Sequence, residues 1–448
     1  MTSLDLQTDF APILDLVGSS EPVRVHGKVV EVIGLLIEST GPAASVGDVC
    51  LLEKNGRTIG RAEVVGFRKG RTLLMPLGAI EGIHPGLSVV GTKQPLTVDV
   101  GPRLLGRVLN GLGQPLDGKP LPAGESQRPV FATVPNPLKR TRINRAFETG
   151  IKAIDGFLTI GRGQRIGIFS GSGVGKSVLL GMMARNCRSD INVIALIGER
   201  GREVREFLER DLGDEGLRRS VVIVATSDQP ALIRIKGAMI AATIAEYFRD
   251  QGKDVLFLID SVTRLATAQR EIGLAIGEPP ATKGYTPSVF AMLPRLLERA
   301  GTSDAGTITG MFTVLVDADD MDEPIADAAR SILDGHIVLS RQLAQRNHYP
   351  AIDVLGSISR CMPDVITREH LDAAGRIKDY LAAYRESEDL IQIGAYAAGS
   401  SERVDKAIRI YTPMQAFLRQ TREEKCNFAE GVERIRQILG SVDVKKKP

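Results

Sequence analysis

The chain has 448 residues, of which 43% are hydrophobic and 25% are charged, the balance of a globular protein with several domains. Its 57 basic and 54 acidic residues leave a net charge of +3, so the composition gives no support to a nucleic-acid partner. The four cysteines have no paired spacing, which favours reduced thiols over a disulfide framework or a zinc site.

The first residues, 1–20, carry acidic side chains and a proline, and they lack the basic start and apolar run of a secretory signal. No later segment reaches the length of a membrane span. Residues 21–97 consist of short stretches in which apolar and polar residues alternate, such as VRVHGKVVEVIG, separated by Gly, Asn and Pro. This pattern predicts a small β-barrel domain.

The third region, residues 98–361, opens with a Gly- and Pro-rich stretch that suits a surface connection. Beyond it, apolar runs of strand length alternate with longer helical stretches, which predicts an α/β domain with a mainly parallel sheet. From residue 362 to residue 448 the pattern becomes helical, and we predict a C-terminal helical domain there.

The strongest motif is SGSGVGKS, which directly follows the apolar run RIGIF and directly precedes a helical stretch. This is the context of a P-loop, whose backbone N–H groups and helix N-terminus hold the phosphates of a nucleotide. The strict pattern begins with Gly, and Ser170 is a small substitute. We therefore predict ATP as ligand, held by Ser170, Gly171, Ser172, Gly173, Val174, Gly175, Lys176 and Ser177.

Two further strand ends carry acidic side chains. In DVLFLIDS the apolar run ends at Asp260, which we predict to anchor Mg2+ together with the hydroxyl of Ser177. In NVIALIGERGREV another run ends at Glu199 and Arg200, on the same sheet edge if the strands are parallel. A carboxylate there orients the water that attacks the γ-phosphate, although a surface turn explains each acid equally well when taken alone.

These motifs occur in the order seen in one family. GSGVGKS, GER, DVLFLIDSVTR and HYPAIDVLGSISR, with GRVLNGLGQPLDG upstream, resemble the rotary and type III ATPases, relatives of the ATP synthase α and β subunits. The resemblance covers nearly the whole chain. It implies an α/β fold with a RecA-like P-loop core, an N-terminal β-barrel and a C-terminal helical domain.

Within that group, GEPPATKGYTPSVFAMLPRLLERAG and GAYAAGSSERVDKAI are similar to the type III export ATPases. The resemblance implies a flagellar export ATPase or its injectisome counterpart, cytoplasmic and peripheral to the inner membrane at the export apparatus. It further implies a homohexamer whose partners are export chaperones and substrates, regulatory and stalk proteins, and a membrane export gate. In the family the N-terminus meets a regulatory partner, so residues 1–20 are either such a segment or an unstructured end.

The family also implies roles for individual residues. Glu199 inherits the water-activating role, and it acts with Lys176 and Arg200 in the catalytic site. Arg360, the arginine of SISR, matches the finger that reaches into a neighbouring subunit's site, and Tyr349 matches the aromatic residue that stacks on adenine. A second adenine contact falls around Phe417 and is left unassigned.

Three other functions agree less well with the sequence. A catalytic subunit of a rotary synthase requires a C-terminal acidic motif that is not apparent in this sequence. A nucleic-acid translocase requires an aromatic-bearing barrel surface, whereas residues 22–95 contain one phenylalanine and neither tryptophan nor tyrosine. A nucleotide-binding scaffold without turnover is disfavoured by Glu199.

Overall fold

The computed structural model describes residues 26–79, 81–121, 124–316 and 320–443. The predicted N-terminal segment, residues 1–20, lies outside the described residues. The chain divides into two compact units, Met1–Pro95 and Leu96–Pro448. Within the described ranges, no helix combines the length and apolarity that crossing a membrane requires.

The described part of the first unit contains strands β1 (His26–Ile33), β2 (Leu36–Ser39), β3 (Asp48–Lys54), β4 (Arg57–Arg68), β5 (Arg71–Pro76) and β6 (Ser88–Pro95). They form a closed barrel in the order β1-β2-β5-β4-β3-β6. Alternating side chains fill its core, among them Val29, Ile37, Leu52, Val64, Leu74 and Val89. Between β3 and β4, Asn55 and Gly56 adopt φ values of 51° and 75°, as a two-residue hairpin favours. The predicted barrel is confirmed.

The described strands of the second unit are β7 (Thr97–Val100), β8 (Arg107–Asn110), β9 (Ser126–Pro129), β10 (Ala146–Phe147), β11 (Ile160–Gly161), β12 (Arg165–Ser170), β13 (Ile191–Ile197), β14 (Ser220–Ala225), β15 (Asp254–Asp260), β16 (Gly301–Thr302), β17 (Thr307–Leu315), β18 (Gly335–Leu339) and β19 (Ile358–Ser359). Nine of these described strands form one sheet in the order β19-β18-β12-β17-β15-β13-β14-β8, with β16 beside β17. The strands from β18 to β8 are parallel to one another, as predicted, whereas β16 and β19 run antiparallel.

The described helices are α1 (Lys152–Phe157), α2 (Lys176–Asn186), α3 (Gly201–Glu206), α4 (Gly213–Arg218), α5 (Ala231–Asp250), α6 (Val262–Ile276), α7 (Pro287–Leu297), α8 (Pro324–Ile332), α9 (Arg341–Gln345), α10 (Met362–Val365), α11 (Arg368–Gln392), α12 (Glu402–Leu418) and α13 (Phe428–Asp443). A π-helical turn, Phe207–Leu212, separates α3 from α4. The predicted boundary at residue 362 coincides with the start of α10.

The C-terminal helices share a hydrophobic core with the sheet region. Phe157 of α1 packs edge-to-face against Phe417 of α12, with ring centroids 6.3 Å apart. Ile435 of α13 is fully buried in the same cluster, which extends to Ile168 of β12. Movement of these helices is therefore opposed by apolar burial against the region that carries the P-loop.

The parallel strands place their carboxyl ends at one edge. Strands β13 and β15 are neighbours, and Leu196 of β13 pairs with Asp260 at the end of β15. Glu199 comes shortly after Leu196 in the chain, so it lies just beyond the level of Asp260 at the same sheet edge. Ser170 ends β12, which pairs with β17 beside β15. Ligands bind at such an edge of a parallel sheet.

Candidate active site

The loop between β12 and α2 has the backbone that a phosphate cradle requires. Gly173 and Gly175 adopt φ values of 77° and 87°, which favour glycine. No side chain caps the start of α2 at Gly175, so the N–H groups of the first turn remain for an anion. Ser170 Oγ is buried without a hydrogen-bond partner in the described residues, as suits a group that bonds to a polar ligand. This geometry fits a nucleotide.

Lys176, the first residue of α2, reaches the carboxylate of Asp260, at the end of β15, and that of Glu199, just after β13. Its Nζ donates to Asp260 Oδ1 and lies 3.3 Å from Glu199 Oε1. Asp260 Oδ1 also accepts a 2.7 Å hydrogen bond from Thr313 Oγ1 of β17. Burial opposes the lysine charge, but the carboxylates of Asp260 and Glu199 outweigh it and raise the pKa of Lys176. The structure thus brings these three predicted residues together.

Glu199 differs electrostatically from an exposed glutamate, since only 14% of its side chain is exposed. Burial is the main cause that raises the pKa of Glu199 to about 7, against the opposing charge of Lys176. The Asp260 carboxylate and a hydrogen bond with Glu203 raise the Glu199 pKa further. A carboxyl group with this pKa can take up a proton near neutral pH, as a general base requires.

Of the two predicted metal ligands, Ser177 lines the cavity at the P-loop. A cavity of about 480 Å³ is lined by the P-loop, including Ser177, and by Glu199 and Arg200. Asp260 is not among the lining residues, but it accepts a hydrogen bond from Lys176, which lines the cavity. One hydroxyl and one carboxylate beside a phosphate cradle suit Mg2+, which keeps several waters and takes its other ligands from phosphates. The donor set therefore fits Mg2+.

Arg200 lies at the rim of this cavity. It occupies the N-cap position of α3 without a side-chain capping hydrogen bond, its side chain is 80% exposed, and its guanidinium is 3.8 Å from Glu203. In contrast to the Lys176 cluster, this side chain is free to reorient toward a phosphate.

Arg360 does not line the cavity of its own chain. Its backbone N–H donates to Asp334 O, and Asp334 N–H donates to Arg165 O at the start of β12. The P-loop begins at the opposite end of β12, about 17 Å away at roughly 3.3 Å per residue. Arg360 is also exposed. The structure thus separates Arg360 from the other predicted catalytic residues.

Tyr349 lies beside the P-loop. Its ring atoms are 3.3 Å from where a Cβ on Gly175 would stand, and the residue is 41% exposed. Phe417, near the position expected for a second adenine contact, is buried against Phe157 instead. Only the tyrosine of this pair offers a ring face to a ligand.

Three family models match the chain. That of the ATP synthase alpha/beta family nucleotide-binding domain matches residues 150–359, and the beta-barrel domain of the same family matches 29–93. The T3SS EscN ATPase C-terminal domain matches residues 366–437. A "Flagellum-specific ATP synthase" of Bacillus subtilis is 54% identical over 96% of this chain and 98% of its own length.

The chain belongs to the family of flagellar and type III secretion ATPases. A "Type 3 secretion system ATPase" of Xanthomonas euvesicatoria is 49% identical over 93% of this chain and 94% of its own length. The assembled ATPase EscN of the enteropathogenic E. coli type III secretion system superposes with a TM-score of 0.88 at 45% identity, covering 92% of this chain and all of EscN. The predicted family, fold class and ATPase activity are confirmed.

Sequence reasoning missed several residues that line the nucleotide cavity of this export ATPase, notably Arg264 and Arg422. Arg264 lies in the first turn of α6, four positions beyond Asp260, so its place was available from the strand-to-helix pattern. Arg422 comes from the segment after α12, and its Nη2 is 3.1 Å from Asp211 Oδ1. No sequence pattern links Arg422 to the P-loop.

Proposed function

We propose that this ATPase works as a homohexameric ring in which Arg360 of each subunit completes the active site of its neighbour. Hydrolysis would then energise type III protein export, by releasing or unfolding substrates at the export gate. The observation that carries the ring is the position of Arg360, at the opposite end of β12 from its own P-loop. A chain that carries both halves of a shared site assembles head to tail, and a closed head-to-tail interface gives a ring.

The chemistry follows from the cavity. ATP places its phosphates in the loop from Ser170 to Ser177, where Lys176 exchanges its carboxylate partners for phosphate oxygens. Glu199, with its raised pKa, orients and polarises the attacking water. Arg200 and the neighbour's Arg360 stabilise the charge that develops on the transferred phosphoryl group. Ser177 and Asp260 would hold Mg2+, which neutralises phosphate charge when bound.

The export assignment draws on the relatives. The flagellum-specific proteins of Bacillus subtilis and Treponema pallidum share 54% and 52% identity with this chain, against 49% for the Xanthomonas secretion ATPase. Other flagellum-specific relatives, at 49% and 45% identity, fall in the same range as the secretion ATPase, so the values support a type III export ATPase of either kind. A structure of EscN in complex with its central stalk EscO is also similar to this chain, with a TM-score of 0.86. That complex supports a stalk partner here. Export chaperones and substrates, a regulatory protein and a membrane gate complete the proposed set, at the cytoplasmic face of the inner membrane.

Mixing two inactive variants tests the shared site. We expect Glu199→Gln and Arg360→Ala each to abolish steady-state ATP hydrolysis, and the parent's specific activity to rise with protein concentration. In a random equal mixture, an active site needs Glu199 from one subunit and Arg360 from the next, so about a quarter of the parental rate should return.

If the mixture recovers no activity and the parent's specific activity does not depend on protein concentration, both the ring and the role of Arg360 in the neighbour's site are refuted. Arg341→Ala, at an exposed arginine that the proposal does not use, is the matched control. Vesicles carrying the export gate would then show whether turnover depends on substrate, which separates an export ATPase from an uncoupled one.

A further inference from the structure

Gln420, just beyond α12, joins its own segment to two distant segments of the chain. Its Oε1 accepts from Lys152 N (2.9 Å), and its Nε2 donates to Gly150 O (2.8 Å) and Glu424 O (2.9 Å). Its backbone N–H donates to Tyr349 O (2.9 Å). The residue is only 5% exposed, so the whole amide group is committed to this network.

The segment around Gln420, residues 419–425, is here named the C-terminal strap. Further contacts fix it to the end of α2, the helix that begins at the P-loop. Arg185 Nη2 donates to Arg422 O (2.7 Å), and Asn186 Nδ2 lies 3.5 Å from Glu424 O. Lys152 forms an ion pair with Glu424. The strap therefore has a fixed position relative to the phosphate site.

Tyr349 is positioned between the strap and the P-loop. Its carbonyl oxygen is bound by the strap through Gln420, while its ring lies against Gly175. The ring is partly exposed, so packing alone does not fix its height above the loop. The strap sets the backbone from which the ring projects.

We propose that Gln420 is a positioning residue for the base of the nucleotide: its side chain fixes the strap, and its backbone N–H fixes Tyr349 beside the P-loop. The inference rests on the proposed function, because it assumes that Tyr349 contacts adenine. It assigns a role in base binding to the strap, which also contributes Arg422 to the nucleotide cavity. A purely structural glutamine, by contrast, would weaken base and phosphate binding alike.

Two variants remove the amide contacts without changing the size of the side chain greatly. Gln420→Glu replaces the Nε2 donor with an oxygen that faces the carbonyls of Gly150 and Glu424, which is repulsive. Gln420→Met leaves the same carbonyls unpaired without adding charge. Thr421→Ala, at the exposed next position, is the matched control, and Tyr349→Ala is the reference for lost base contact.

The measurement compares a ligand that has a base with one that lacks it. ADP and inorganic pyrophosphate are each tested as competitive inhibitors of ATP hydrolysis, and KM and kcat for ATP are recorded for every variant. We expect both Gln420 variants to raise KM for ATP and the inhibition constant of ADP about five- to tenfold, within the energy of one base–aromatic stack. Pyrophosphate inhibition and kcat should stay within about twofold of the parent.

A double variant gives a second readout. If Gln420 acts through Tyr349, Gln420→Glu should add little to the loss of ADP affinity already caused by Tyr349→Ala. Additive losses, equal weakening of ADP and pyrophosphate, or unchanged ADP affinity would each overturn the positioning role. If Tyr349→Ala alone leaves ADP affinity unchanged, the adenine assignment in the proposed function fails, and this inference falls with it.

Discussion

Replacing Glu199 with glutamine should stabilise the nucleotide-free protein, and increasingly so as the pH rises. Burial raises the pKa of Glu199 from its ordinary 4.5 to about 7, so the folded protein prefers this carboxyl group protonated. A glutamine amide has nearly the same size and still donates a hydrogen bond to Glu203. It carries no charge at any pH, and therefore avoids the cost of a buried carboxylate.

The sign and size of the effect follow from proton linkage. Between pH 4.5 and about 7 the folded protein retains the proton that the unfolded chain has released, so the free energy of unfolding falls as pH rises. At 1.36 kcal/mol per pKa unit, this difference is worth about 3 kcal/mol once the pH exceeds 7. The free energy of unfolding of Glu199→Gln relative to the parent should increase by that amount across the window.

The assay is urea unfolding of parent and variant, without nucleotide, at several pH values from 5 to 8 and constant ionic strength. Glu209→Gln, an exposed change in the adjoining turn, should alter stability by less than about 0.5 kcal/mol. A stability difference for Glu199→Gln that stays constant with pH, or shrinks as the pH rises, would refute the argument that Glu199 is held neutral by burial.

Three further outcomes test other contacts. Arg422→Ala should raise KM for ATP about tenfold and leave kcat within about twofold, because Arg422 lines the nucleotide cavity; steady-state kinetics showing a loss in kcat alone would contradict this. Gly181→Ala places a methyl group 2.6 Å from Asp211 Cβ, so the melting temperature should fall by an amount equivalent to about 1–3 kcal/mol, and an unchanged value would show that the packing yields. Arg299→Met leaves the buried carboxylate of Glu246 unpaired and should cost about 3–5 kcal/mol in denaturant unfolding, most of it regained when Glu246→Leu is added.

The part of the site that lies on the sheet was predictable because a regular structure positions it. Ser170 and Asp260 end apolar strands, and Glu199 follows closely behind one. Parallel strands bring such ends to a single edge. The sequence therefore predicted the Lys176 cluster without any three-dimensional information, and the Asn55–Gly56 turn was equally readable because its φ values suit those residue types.

The remainder depends on contacts that carry no local pattern. Gln420 bonds to Gly150 across 270 positions, and Arg422 reaches Asp211 from a segment without helical or strand periodicity. Phe417 shows the converse: an aromatic residue in the expected stretch turns into the core, because burying its ring against Phe157 is favourable. Polar side chains in irregular segments meet their hydrogen-bond partners only once the chain is folded, so no local sequence pattern reveals these contacts.

On the proposed ring, two links meet at each nucleotide from different directions. The phosphate end is completed by Arg360 of the next subunit, while the base end is held through Tyr349 by the strap of the same subunit. The strap continues directly from α12, so it links the C-terminal helices to the base end of the site through Tyr349. Loss of the strap contacts should then affect nucleotide affinity, and loss of the finger should affect turnover. If variants of the strap lowered kcat while variants of Arg360 only raised KM, the two ends of the site would not have these separate roles.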